Sequence, residues 1–141
     1  MKRLLQGALA AILALGLCSA VRAADDAKKL ESTPQVKTYR ALLAAMKSGD
    51  YAAYKKCMVK EAGSQMDDQA KQMGKSPKEV LSFMAMMTPS DISFTGLKVD
   101  GKKATLHADG KLDGEMNYGT IEMAQEDGQW KVGHQSWANH K

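Results

Sequence analysis

The side chains with the widest chemical reach in this chain are three histidines, the methionines and a few carboxylates. His134 is the most suggestive. It falls in a strand-like run, Gln129–Trp137, where strict alternation places it on the face of Trp130 and Val132. An imidazole there would anchor an anionic ligand or act as a base near neutral pH. Gly133 qualifies this reading, because a bulge at that glycine would turn the ring outward. His107 alternates with Leu106 and Ala108, so it belongs to the wet face beside Thr105 and Asp109. His140 sits in the last two residues, and the three histidines lie on unrelated elements, which makes no metal site by spacing. Asp25-Asp26 and Asp67-Asp68 are adjacent pairs without the separation of a general acid/base couple, and read as solvated charge.

Nine of the ten methionines follow the initiator, with Met84, Met86 and Met87 crowded together. Thioethers are soft ligands suited to Cu(I), so a copper carrier is one reading. The simpler one is structural, since Met46, Met58, Met66, Met73, Met84 and Met87 fall on apolar stripes and only Met86 lies off them. Cys57 reads as a small buried side chain on a helix, with no local base to make it a nucleophile. No phosphate-binding glycine loop, nucleophile elbow or zinc-protease motif occurs, and no cofactor is expected.

The net charge of +4 over 141 residues is mostly a property of the first 23. That segment holds Lys2, Arg3 and Arg22 and no acid, so 17 basic side chains against 16 acidic ones remain beyond it. The basic residues are spread among acids and lack the aromatic interleaving of a nucleic-acid surface. Residues 1–23 have the pattern of a secretory signal peptide: a basic start, an apolar stretch from Leu4 to Leu17, and Val21-Arg22-Ala23 before the cut. Cleavage is placed after Ala23, with Ala24 as second choice, giving a periplasmic or secreted protein without a membrane span. Leu15-Gly16-Leu17-Cys18 resembles a lipobox, with bulky Leu17 where a small residue is usual, so lipid anchoring at Cys18 is the rival. Loss of Cys18 with the leader leaves Cys57 without an intrachain partner.

The elements that must position these groups follow from period and punctuation. Residues 24–33 are polar and unpatterned, a disordered lead-in, and residues 34–141 form one domain. Thr33-Pro34 opens a helix whose face is Val36, Tyr39, Leu43 and Met46, closed by Gly49. Asp50 caps a second helix with Tyr51, Tyr54 and Met58 inward. A third runs from Ser64 to Met73, ending at Gly74. Ser76-Pro77-Lys78-Glu79 is a capping box for a fourth, with Val80, Leu81, Met84 and Met87 as its stripe and Thr88-Pro89 as its stop. The period then falls to two. Ile92–Val99, Ala104–Leu112, Met116–Gln125 and Gln129–Trp137 are separated by Asp100-Gly101, Asp113-Gly114 and Asp127-Gly128, which specifies an antiparallel four-stranded meander. Ala104, Leu106, Ala108, Ile121, Met123, Trp130 and Val132 should face the helices. Helices first and strands afterwards is an α+β fold.

Two stretches resemble the nuclear transport factor two-like superfamily. "YRALLAAMKSGDYAAYKKCM" resembles its first two helices with their Gly-Asp corner, and "GTIEMAQEDGQWKVGHQSW" its last hairpin. The resemblance covers Pro34 to Trp137 and implies a curved sheet wrapped around helices, a cone with a pocket at its open end. The superfamily includes ketosteroid isomerases, polyketide cyclases and dehydratases, and exported domains that only bind or associate. The isomerases' catalytic Tyr would fall at Leu42 and their general base at Met66, with Asp67 one residue away. Neither Leu42 nor Met66 transfers a proton. The leading expectation is therefore a non-enzymatic exported domain that binds a small apolar ligand or a protein partner. Tyr39, Tyr54, Met84, Trp130 and His134 would line its pocket, with His134 as the polar anchor. The alternatives are a lyase, isomerase or hydrolase using His134 or Asp67 as base, and the Cu(I) carrier. A homodimer through the outer sheet face would use Tyr118 and Trp137.

Overall fold

A computed structural model describes residues 25–140. The leader, its cleavage position and Cys18 lie outside these residues. Helix α1 covers 25–31, and α2 (Pro34–Ser48), α3 (Tyr51–Cys57), α4 (Lys60–Gln72) and α5 (Pro77–Met86) follow. Four strands complete the chain: β1 (Ser90–Asp100), β2 (Lys103–Leu112), β3 (Glu115–Glu126) and β4 (Gln129–Ala138). They form one antiparallel sheet in sequential order, the expected meander. The fold is α+β.

Residues 25–31 correct the disordered lead-in. They are helical, Leu30 packs on the core, and Glu31 Oε1 accepts from Arg40 Nη2 at 2.6 Å. One apolar anchor and one ion pair to α2 order a stretch whose composition carries no periodic stripe.

Local chemistry accounts for the other helix ends. Thr33 Oγ1 accepts from Val36 N and Asp50 Oδ1 from Ala53 N, while Gly49 closes α2 in the left-handed region at φ 69°. Ser76 and Glu79 make the reciprocal capping box, Ser76 N donating to Glu79 Oε2 at 2.7 Å. The Ser76 hydroxyl, which also donates to Glu79 Oε2, and then that backbone bond hold the Glu79 carboxyl below its ordinary range. Only α4 departs, starting at Lys60 rather than Ser64, because Val59 N donates to Val132 O at 2.9 Å and starts the helix from a bridge to β4.

The hairpins pair as the Asp-Gly dipeptides require. Asp113-Gly114 and Asp127-Gly128 carry positive φ at both central positions (52° and 84°; 50° and 74°), which is the type I′ turn. At the first hairpin Asp100 pairs with Lys103, so Gly101, at φ 57°, takes the first central position of a type II′ turn.

Helices and sheet share one core. Val36, Tyr39, Leu42 and Met46 from α2 meet Leu81 from α5, and Ala104, Leu106, Ala108, Ile121, Met123 and Val132 from the sheet. Every residue assigned to the inner sheet face is buried except Trp130, which is partly so. In α2 the buried position is Leu42, with Leu43 only partly covered. Met73 and Met87 are exposed (49% and 59%) although their spacing continues the stripes. Each is the residue that follows the last helical turn, where the chain leaves the helix axis.

Candidate functional site

The cleft that collects most of the expected pocket residues lies between four helices and β4. Leu42 of α2, Tyr54 of α3, Met58, Met66 of α4, Met84 of α5 and Val132 of β4 form its apolar wall, with a volume of about 220 Å³. Gln65 and Gln69 of α4 and Gln135 of β4 add amides. The link between α3 and α4 makes its floor: Met58 bridges in parallel to Val132, so both helices are pinned to the strand.

One bulge decides what β4 shows to this cleft. Met123 pairs with Val132, but the next residue back, Glu122, pairs with His134, so Gly133 is the extra residue. Beyond it the alternation changes sign. His134 stands opposite exposed Glu122, whereas Gln135 pairs with buried Ile121 and Trp137 with buried Gly119. His134 is thus an exposed residue at the rim and not the inward anchor that strict alternation predicts. Trp137 likewise moves from the outer face to the inner one, where its ring covers Gly119; a Cβ at Gly119 would meet Trp137 Cη2 at 2.7 Å. An outer-face dimer would lack that indole.

Gln135 takes the inward place. Tyr39, fully buried, donates its hydroxyl proton to Gln135 Oε1 at 2.6 Å. Trp137 Nε1 is buried close to the same hydroxyl without meeting hydrogen-bond geometry. Burial pushes Tyr39 well above the ordinary phenol range, and the neighbouring indole only partly opposes this. Tyr39 packs edge-to-face on Phe94, with centroids 6.0 Å apart. It supports the site from the core and does not line the cleft.

Tyr54 does line it. The residue is 1% exposed and its hydroxyl makes no hydrogen bond to the described residues. Burial, with a smaller contribution from Cys57, pushes this phenol up to about 12, so it stays a donor across the physiological range. Met84 lines the cleft while Met86 is 69% exposed, so the crowded methionines do not share one environment. Trp130 opens elsewhere, into a groove between α2, α3 and the β3–β4 turn.

Asp67 also lies outside the cleft. Lys55 Nζ donates to its Oδ2 at 2.6 Å and Tyr51 to its Oδ1 at 2.5 Å. These two bonds hold the carboxylate below its ordinary range. A partly exposed, ion-paired carboxylate that does not line the cleft is a poor base. Among the described residues no three His, Cys, Asp or Glu side chains converge on a metal position. No described helix is long and apolar enough to cross a membrane.

The amides Gln65, Gln69 and Gln135 were not legible as site residues. Gln65 and Gln69 stand four apart on α4, which is a signal for one face, but both are exposed and nothing local says that this face borders a cleft.

No family model matches the chain and no curated protein is detectably related to it. Among solved structures it is similar to an NTF-2-like protein of unknown function from Silicibacter pomeroyi DSS-3. The identity is 15%, the match covers 84% of this chain and 97% of that one, and the TM-score is 0.47.

Proposed function

We propose that this is an exported, non-enzymatic domain that holds a small, mostly apolar ligand bearing one polar group. The observation that carries the reading is the chemistry of the cleft wall. Leu42 and Met66, the two positions where the resemblance would put an isomerase's acid and base, both line this cleft with hydrocarbon and thioether. Its inner polar groups are amides and a phenol that stays protonated, which orient a ligand and do not move protons, while the one imidazole, His134, sits at the exposed rim. Somewhat larger than the ~150 Å³ cavity that holds benzene, the space suits one or two fused rings.

The test uses 2-naphthol, neutral at pH 7, added to the purified protein and followed by its fluorescence. Saturable binding is expected, weakened about 2- to 10-fold by Tyr54→Phe, the value of one hydrogen bond. Absence of saturable binding, or indifference to Tyr54→Phe and to filling the cleft with Met84→Trp, would reject the proposal.

Association with a protein partner is a second reading, supported by Phe83, Met86 and Met87, which expose 53%, 69% and 59% of their surfaces at one end of α5. Phe83→Ser and Met87→Ser should abolish such association without lowering stability, as read by sedimentation velocity and thermal melting.

A further inference from the structure

The groove that receives Trp130 is separate from the cleft and chemically different from it. It has a volume of about 570 Å³ and runs between the first turns of α2, the end of α3 and the start of β4. Lys37, Lys56 and Lys131 line it, and no lining residue is acidic. This is a local excess of three charges on a chain that carries only one net positive charge beyond residue 23. The surroundings are selective too. Arg40 and Lys55 are paired with Glu31 and Asp67, whereas the three groove lysines make no ion pair among the described residues. Lys131 Nζ donates to the Lys56 backbone carbonyl oxygen, which ties the Lys131 charge of β4 to the end of α3. The nearest turn carboxylates, Glu126 and Asp127, do not face the groove; Glu126 Oε2 accepts from Lys60 N instead.

Apolar and polar parts alternate usefully. The half-buried Trp130 indole presents a flat surface, Cys57 lies beside it, and Thr38 Oγ1 donates to Trp130 O at 3.3 Å, fixing the strand against α2. From this geometry we infer that the groove is a second binding site, for a small organic anion with a flat apolar body: an aromatic carboxylate, sulfonate or phosphate monoester. The ring lies on Trp130 and the anionic group meets Lys37, Lys56 and Lys131. Flat apolar contact plus cations is the combination that desolvates the ring while leaving the charge at a wet, positive rim.

The probe is 8-anilinonaphthalene-1-sulfonate, with N-phenyl-1-naphthylamine as its uncharged counterpart, added to the protein expressed from the full-length sequence. The sulfonate should bind more tightly than the neutral amine, and its affinity should fall as salt rises from 20 to about 300 mM, because exposed charges are screened over that range. Lys37→Gln and Lys131→Gln should each weaken the sulfonate about two- to five-fold and leave the amine unchanged. Trp130→Ala should weaken both. Alkylation of Cys57, read on its own peptide by mass spectrometry, should slow when the sulfonate saturates the site. The Lys37 side chain makes no hydrogen bond or ion pair within the described residues, so its variant should melt as the parent does and remains informative if Lys131→Gln is less stable. Equal binding of the two probes, sulfonate binding that ignores the lysine variants, or unprotected Cys57 at saturation would overturn the inference. Tyr54→Phe, which probes the cleft, should leave sulfonate binding unchanged, so the two sites fail or stand separately.

Discussion

The sign change of β4 at Gly133 can be measured as an energy between two residues that lie 96 positions apart. If the bulge turns Gln135 inward, Tyr39 and Gln135 are coupled through the 2.6 Å hydrogen bond; if β4 alternated without it, Gln135 would face solvent and could not reach a fully buried phenol. Tyr39→Phe removes the donor and leaves the Gln135 carbonyl to find another partner, a loss of about 1–2 kcal/mol. Gln135→Leu removes the acceptor and strands the buried Tyr39 hydroxyl, a loss of similar size with a partial offset from added apolar surface. The double variant has neither group left unpaired, so its loss should be smaller than the sum of the two by about 1 kcal/mol. For a domain near this size, 1 kcal/mol corresponds to roughly 4 °C in melting temperature. The cycle is therefore resolvable by calorimetry and by urea unfolding with unchanged m values. Additivity within ~0.3 kcal/mol would refute the assignment of Gln135 to the inner face.

Gly119→Ala should destabilise by about 1–3 kcal/mol, since its Cβ would sit 2.7–2.9 Å from three ring atoms of Trp137. In a Trp137→Leu background the same change should cost much less, as read by urea unfolding. Ser76→Ala removes the hydroxyl of the α5 cap and should lower stability by about 1 kcal/mol, with the Glu79 carboxyl moving back toward its ordinary range in NMR titration. Asp67 is depressed in the folded state, so the stability it contributes is present above the unfolded value near ~4 and is lost as pH falls through its lower folded value. Lys55→Gln should raise the Asp67 midpoint and shrink that acid-side loss; an unmoved midpoint would show that the Lys55 contact does not set it.

How much of this was legible in the chain follows from how far apart the deciding groups are. Helix caps and hairpin turns are local: Thr33-Pro34, Ser76 with Glu79, and the Asp-Gly pairs each make their bonds within four residues, so composition and spacing sufficed. The inner sheet face up to Val132 was equally readable, because alternation is a property of one strand. Beyond Gly133 it was not. Whether a glycine is absorbed as a bulge depends on what the neighbouring strand and the α3–α4 link offer it, and Val59 N bonding to Val132 O is a contact made 73 residues away. That single extra residue put Gln135 rather than His134 at the inward position of the site, leaving His134 at its rim, and moved Trp137 from the outer surface to the core edge.

Charge shows the same division. The sequence by itself determined that most of the net charge belongs to the first 23 residues and that the remainder is close to neutral. A count carries no positions in space, so it could not show that Lys37, Lys56 and Lys131, drawn from two helices and a strand, would meet in one groove without an acid among them. The helical and strand periods were written locally, in the residues. The cleft's amides and the groove's three lysines were decided only when packing brought distant segments together, because each site is a set of side chains whose neighbours in space are not their neighbours along the chain.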